Sequence, residues 1–147
     1  MRAFANKTAV FEHLKKKFAK GSKLIIVKGS TVTKPVRRFS DFDVEVWCKK
    51  PRKPYYEIAF VRAKAILISA YFYRYKEGKQ AQTPPNTKIL HGKYNSKIRT
   101  YFSKESYTPR QITTRECHLV ADFMFKYMRS KDKEYLNAVQ KRIKGQN

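Results

Sequence analysis

"KGSTVTKPVRRFSDFDVEVW", residues 28–47, sets two aspartates one residue apart in a chain that is otherwise heavily basic. Over 41–47 polar and apolar residues alternate strictly, the period of a β-strand with one buried face. Phe42, Val44 and Val46 point one way, and Asp41, Asp43 and Glu45 point the other. The apolar side must meet a core, so the carboxylates are expected together on the open side. The chain has 11 Asp and Glu against 34 Lys and Arg, so this concentration of negative charge on one strand face calls for a chemical reason.

The neighbouring segments suggest one. "YYEIAFV", 55–61, also alternates, and its apolar side reads as Tyr56, Ile58 and Phe60. A hairpin closed by "CKKPRKP", 48–54, must bring the two apolar faces together, because a one-residue slip would invert one strand. Glu57 then falls about opposite Asp43. Carboxylates that converge in this way raise one another's pKa. A divalent cation relieves the repulsion, and hard Mg²⁺ takes oxygen ligands; Mn²⁺ is the alternative. Paired ions of this kind activate an attacking oxygen and stabilise a leaving one in phosphoryl-type transfer. The metal ligands expected are Asp41, Asp43 and Glu57.

Upstream, "KLIIV", 23–27, reads as a short buried strand that runs directly into the Gly29-Ser30 turn. Glycine lets the backbone come close to a phosphate. Ser30 adds a hydroxyl, and a helix starting after it would offer N–H groups to an anion. Lys34, Arg37 and Arg38 lie in the same connection. Gly29, Ser30, Lys34 and Arg37 could therefore meet an anion such as phosphate.

"GSTVTKPVRRFSDFDVEV" resembles the signature of the DNA-polymerase-β-like nucleotidyltransferase superfamily: an apolar strand, Gly-Ser, about ten residues, then Asp-x-Asp in a strand. It is most similar to minimal and kanamycin-nucleotidyltransferase-type members. Residues 31–40 supply the spacing, and Ser40 precedes the first aspartate. The family's third carboxylate sits on a following strand between apolar residues, a context that Tyr56-Glu57-Ile58 matches. The resemblance covers about residues 7–61. Minimal members often carry Ala-Arg-Gly soon after the Gly-Ser, where this chain has Val32-Thr33-Lys34, so Lys34 or Arg37 would stand in for the missing arginine. The resemblance implies a nucleotidyltransferase (polymerase-β-like palm) fold and transfer of a nucleoside monophosphate from an NTP to an acceptor, assisted by Mg²⁺ or Mn²⁺. Asp41 and Asp43 would hold the metals, Glu57 would complete the set and help deprotonate the acceptor, and Gly29 and Ser30 would hold the triphosphate.

The rest of the chain frames this site. "KTAVFEHLKKKFAK", 7–20, places Val10, Phe11, Leu14 and Phe18 on one helical face, and Gly21 follows as a stop. "AKAILISAYFYRY", 63–75, reads as a further strand, with a buried helix as the alternative, and "TKILHGKY", 87–94, holds one more short strand. From Pro109 onward the pattern is helical, with Leu119, Val120, Phe123, Tyr127 and Met128 on one face and Tyr135, Leu136 and Val139 after them. The expected architecture is α+β: one domain over 1–147, with a small mixed sheet flanked by helices, a catalytic core over about 7–75 and C-terminal helices over about 109–143.

Composition bounds the partners. A hydrophobic content of 41% with 10 Tyr and 10 Phe supports a packed core. A formal net charge of +23 repels itself and points to a polyanion, with RNA or DNA as acceptor or bound partner. The cations are spread along the chain without a basic amphipathic helix, so a membrane surface is not expected. No run approaches a membrane span and no apolar leader opens the chain. Cys48 and Cys117 lack metal-site spacing, and His13, His91 and His118 do not cluster with them. A cytoplasmic, reducing location fits. Two other functions fit the same fold: a non-catalytic nucleic-acid-binding protein, and an antitoxin-type minimal nucleotidyltransferase that modifies a partner protein.

Overall fold

The computed structural model describes residues 2–104 and 112–145, with side chains over 2–101 and 120–140. The expected helical start at Pro109 and the side chains of Cys117, His118 and Leu119 lie outside the described residues.

Helix α1, Lys7–Phe18, starts where the Asn6 side chain accepts a hydrogen bond from the Ala9 N–H. This N-cap satisfies one of the donors that the first turn leaves open. Its apolar stripe, Val10, Phe11, Leu14 and Phe18, is buried. The strands are β1, Ala3–Phe4; β2, Ser22–Lys28; β3, Ser40–Cys48; β4, Tyr55–Val61; β5, Lys64–Arg74; and β6, Thr87–Gly92. They form one mixed sheet in the order β1-β4-β5-β3-β2-β6. Three helices follow: α2, Ser96–Lys104; α3, Ile112–Ser130; and α4, Lys133–Gly145. The molecule is thus the mixed α and β architecture expected, with the sheet between helices. Among the described residues no helix is long and apolar enough to cross a membrane.

One expectation fails in the pairing. β3 and β4 do not form a hairpin. β5 lies between them, parallel to β3 and antiparallel to β4. The physical reason is connection length: Arg62 and Ala63 alone join β4 to β5, against 49–54 between β3 and β4. Arg62 takes a left-handed φ of 55° to close that turn. The short closure wins the pairing, and β3 takes β5 as a non-local partner over its whole length, from Ser40 opposite Ile66 to Cys48 opposite Arg74.

The faces of β4 are also reversed from the expectation. Ala59 and Val61 are buried, whereas Ile58 is 47% exposed. The core on the α1 side collects Val10, Phe11, Leu14 and Phe18 with Ile25, Val27, Phe42, Val44, Val46, Ile66, Ile68 and Phe72. Glu57 belongs to this side of β4. The opposite face of the sheet carries a smaller core of Leu24, Ile26, Trp47, Tyr94 and Ile98 beneath α2. That helix was not expected from the sequence. Its cap is the buried Asn95, whose Oδ1 accepts from the N–H groups of Lys97 and Ile98 while its Nδ2 donates to the Lys76 carbonyl. Gly92 ends β6 at a φ of 80°, where an added Cβ would come 1.9 Å from the Lys23 carbonyl oxygen, so only glycine lets β6 close on β2 there. In the C-terminal pair, Phe123 stacks on Tyr135 at 6.3 Å between centroids and Val139 is buried, as expected, but Met128 is 37% exposed.

Phe42 is fully buried against the edge of the Phe11 ring. We expect Phe42→Ala to cost about 3–5 kcal/mol, as aromatic truncation in a core does, and Ile58→Ala to stay within about 0.5 kcal/mol. Urea unfolding of both variants checks the assignment of faces, and equal costs would refute it.

Candidate functional site

The strand face that carries Asp41, Asp43 and Glu45 begins beside the end of β2. Lys28, the last residue of β2, pairs in register with Asp43. Gly29 follows with φ 102° and ψ −172°, a region essentially restricted to glycine. A Cβ on Gly29 would still be 3.9 Å from Asp43 Oδ2. Space is therefore available, and the backbone conformation is what requires glycine. The Gly29 N–H donates to the Asn86 carbonyl at 3.0 Å, and the Thr33 hydroxyl donates to the Asn86 side chain at 3.3 Å. The 84–87 segment thereby pins the turn.

After Gly29 the chain makes one 3-10 turn, Ser30–Val32. The Ser30 carbonyl accepts from the Thr33 and Lys34 N–H groups, while the residue itself is exposed at the mouth of the site. Lys34 and Arg37 are exposed in the following connection, and among the described residues neither forms a side-chain ion pair. The connection enters β3 through Phe39, a bulky residue at φ 62°. Such a conformation is costly for a side chain with a Cβ. It is held by the Phe39 N–H bond to the Ala65 carbonyl at 2.7 Å, by the edge of Phe125, and by Arg129 Nη1 donating to the Phe39 carbonyl at 3.4 Å. This bend sets the direction in which Asp41 leaves for the sheet.

The electrostatics of the face differ along its length. Asp43 has its pKa raised from 3.8 to about 7, first by desolvation, then by the charges of Asp41, Asp122 and Glu45, with Lys28 acting against them. Glu45 is only 6% exposed, so its end of the face is closed and not open as expected. Burial pushes its carboxyl up, while Lys28 and the Trp47 indole act the other way. Lys28 Nζ lies 2.8 Å from Glu45 Oε1, an ion pair that partly neutralises this end of the face. The β5 residue at the Asp43 position is Ser69, fully buried, its hydroxyl without a hydrogen-bond partner among the described residues.

Asp41, Asp43, Gly29 and Ser30 are therefore brought together, with Lys34 and Arg37 in the connection beside them. Glu57 is not. It sits on the α1 side of β4, one strand beyond β5, where Arg2 Nε donates to it at 2.7 Å and the Tyr55 hydroxyl at 2.8 Å. Partial burial pushes its carboxyl up, but these two donors and the Arg2 charge outweigh it and hold the carboxyl below its ordinary value. The misplacement follows from the absent hairpin and the reversed faces of β4.

Two residues that local pattern did not single out approach the pair. Asp122 and Lys126, one turn apart on α3, form an ion pair at 2.8 Å. Asp122 adds to the field on Asp43. Lys126 is held charged, first by its bond to Asp122, with Asp41 also contributing. In the sequence they read as an ordinary helix-surface pair, and only the docking of α3 distinguishes them. Among the described residues no group of three His, Cys, Asp or Glu side chains is placed to hold a metal by itself. Two carboxylates on an otherwise polar rim suit a Mg²⁺ ion that keeps several waters and shares a substrate's phosphates, which is how that ion is commonly bound. No protein-family model matches the chain, and no curated protein matches it.

Two outcomes follow. Gly29→Ala should destabilise the protein by about 1–3 kcal/mol, the cost of forcing a Cβ into this backbone region, as read by chemical denaturation. Asp43 binds a proton more tightly folded than unfolded between about pH 4 and pH 7. Its neutral form therefore favours the fold at low pH, and that advantage is lost as pH rises through about 7. We expect Asp43→Asn to gain on the order of 3 kcal/mol over wild type at pH 8 and almost nothing at pH 4. Melting curves across pH check this, and a pH-independent difference would contradict the low-dielectric setting of Asp43.

Proposed function

We propose that the protein is a metal-dependent nucleotidyltransferase that moves a nucleoside monophosphate from an NTP to a nucleic-acid hydroxyl and releases pyrophosphate. The observation that carries this reading is the pair Asp41 and Asp43 beside a glycine-restricted turn, with Asp43 raised to about 7 by burial and by neighbouring carboxylates. That is concentrated negative charge in a protein of net charge +23, and a cation at this point would relieve it. When bound, Mg²⁺ would neutralise the triphosphate and stabilise the leaving oxygen.

The chain's own groups have separate tasks in this reading. Asp41 and Asp43 would hold the metal. The exposed Ser30 would offer its hydroxyl to the triphosphate. Lys34 and Arg37, exposed and without an ion pair among the described residues, would be available to its outer phosphates. Lys126 and Asp122 set the local field from α3. Ser69, under Asp43, offers a buried hydroxyl that can steady the carboxylate. The polymerase-β-like resemblance supports the assignment through the Gly-Ser spacing and the Asp-x-Asp strand. A cytoplasmic location is part of the same proposal.

One observation favours a second reading, a non-catalytic nucleic-acid binder on the same fold. β5, the strand actually next to the aspartates, contains no Asp or Glu, so the third carboxylate that the resemblance implies on a following strand has no counterpart on the strand beside Asp43.

The deciding measurement is incubation with each labelled NTP, Mg²⁺ or Mn²⁺, and RNA and DNA acceptors. Asp41→Asn and Asp43→Asn should each lower transfer by about a hundredfold or more, since a lost metal ligand removes several kcal/mol of transition-state stabilisation. Glu57→Gln should leave the rate within about threefold, because it lies across the sheet. Wild-type protein that transfers no nucleotide to any acceptor would decide for the binder.

A further inference from the structure

The basic residues are not spread evenly over the fold. At the end of β3 far from Asp41, two segments meet that carry cations and no carboxylate. One is the last turn of α1 and its exit, 15–23, with Lys15, Lys16, Lys17, Lys20 and Lys23. The other is the 49–54 loop, with Lys49, Lys50, Arg52 and Lys53. All nine side chains are exposed, and among the described residues none forms an ion pair.

A shared aromatic floor holds the two segments side by side. The Phe18 ring meets Tyr55 at 5.8 Å and Phe72 at 5.6 Å, edge to face in both cases. Lys17 Nζ stands 4.4 Å above the Tyr55 ring, and Arg52 Cζ stands 4.4 Å above Phe72. Cation–π contacts of this kind fix the positions of charged groups without neutralising them. The patch is therefore a built array of positive charge, set by rings that belong partly to the core.

We infer that this end of the molecule is a docking surface for the sugar-phosphate backbone of a nucleic acid. The inference deepens the reading of nucleic acid as the acceptor and rests on it. Unpaired lysines and arginines on several elements suit a phosphate backbone, whose contacts position a strand without reading its sequence. A lipid surface suits the patch less well. The large exposed apolar side chains, Ile58, Ile89 and Met128, lie outside these segments, and the apolar stripe of α1 is already spent in the core, so nothing here can enter an acyl layer. The patch lies about 23 Å from Asp41 along β3, at about 3.3 Å per residue over seven steps. A strand docked here keeps most of its phosphates away from the carboxylates that repel them, while one end can extend along β3 toward Asp41 and Asp43.

The test is anisotropy of a labelled 20-nucleotide single-stranded RNA across a salt series, without NTP or divalent metal. Wild type is compared with Lys50→Ser/Arg52→Ser/Lys53→Ser, with a second patch variant, Lys16→Ser/Lys20→Ser, and with a control of equal charge loss elsewhere, Lys97→Ser/Lys131→Asn/Lys133→Ser. Melting curves confirm that each is folded. The triple loop variant should reduce the log–log salt slope by about 2, at about 0.7 per lost contact on a single strand, and weaken binding at least about tenfold at low salt. The α1 variant should reduce the slope by about 1.4 on the same basis, and the control should leave it unchanged. Equal losses in the loop and control variants would mean diffuse attraction and overturn the proposal. So would no binding by wild type, or loop-dependent binding to anionic vesicles in place of RNA. Because no nucleotide transfer is measured, failure here leaves the metal-site reading standing, and failure of transfer leaves this one standing.

Discussion

β3 must satisfy two environments at once, and the architecture follows from that constraint. Phe42, Val44 and Val46 are buried against α1 on one side. The other side carries three carboxylates and a tryptophan, and its neighbours have to make that tolerable. Glu45 and Trp47 are covered by the α2 region and held with Lys28, the last residue of β2. Asp41 and Asp43 are left at the end where β2 turns away at Gly29 and α3 arrives with Asp122 and Lys126. A gradient results along one strand face, from a neutralised and closed end to a charged end next to the Gly29 turn.

That gradient costs stability at one point and places chemistry there. A carboxyl raised to about 7 beside other carboxylates is an unfavourable arrangement in the protein alone. Sites of this kind cluster where function demands them. Glu57, the carboxylate on β4, has Arg2 and Tyr55 as donors. The contrast between these two acids, one fully partnered and one crowded by like charge, distinguishes a structural carboxylate from a candidate ligand more sharply than their sequence contexts do.

Much of this was legible in the sequence. The bounds of α1, β2, β3, β4 and β5 fall within a few residues of those expected, because α1 has a clean helical period, β3 and β4 alternate, and β2 and β5 are apolar runs set between polar segments. The closeness of Gly29 to Asp43 was legible too, since β2 and β3 flank a single connection. Pairing order was not. The 62–63 turn has no Asn-Gly or Asp-Gly signal of a tight hairpin, so its priority over the 49–54 loop did not show. The faces of β4 were ambiguous because both alternate sets are apolar, and the bulkier Tyr56, Ile58 and Phe60 turned out to be the less buried. Glu57 sits on the core side only because Arg2, 55 residues away, reaches it, and no local pattern can show such a partner. α2 was hidden by aromatic and basic residues that fit a binding strand equally well.

The place of β5 between β3 and β4 has a consequence for how the sheet is assembled. As the chain is made from its N-terminus, β2 and β3 can pair early, but the other edge of β3 finds its partner only once 64–74 exist, since Ser40 pairs with Ile66 and Cys48 with Arg74. β4, made before β5, has to wait at a distance of one strand. The central gap is thus filled late, by the most apolar strand of the fold, and the contacts that close it are distant in sequence, the kind that slow folding. Until then β3 presents an open edge, one side of which is lined with aspartate and glutamate. Charge on an unpaired edge is a recognised guard against pairing with the wrong strand. The same acidic residues would then protect the growing chain before they serve the finished one.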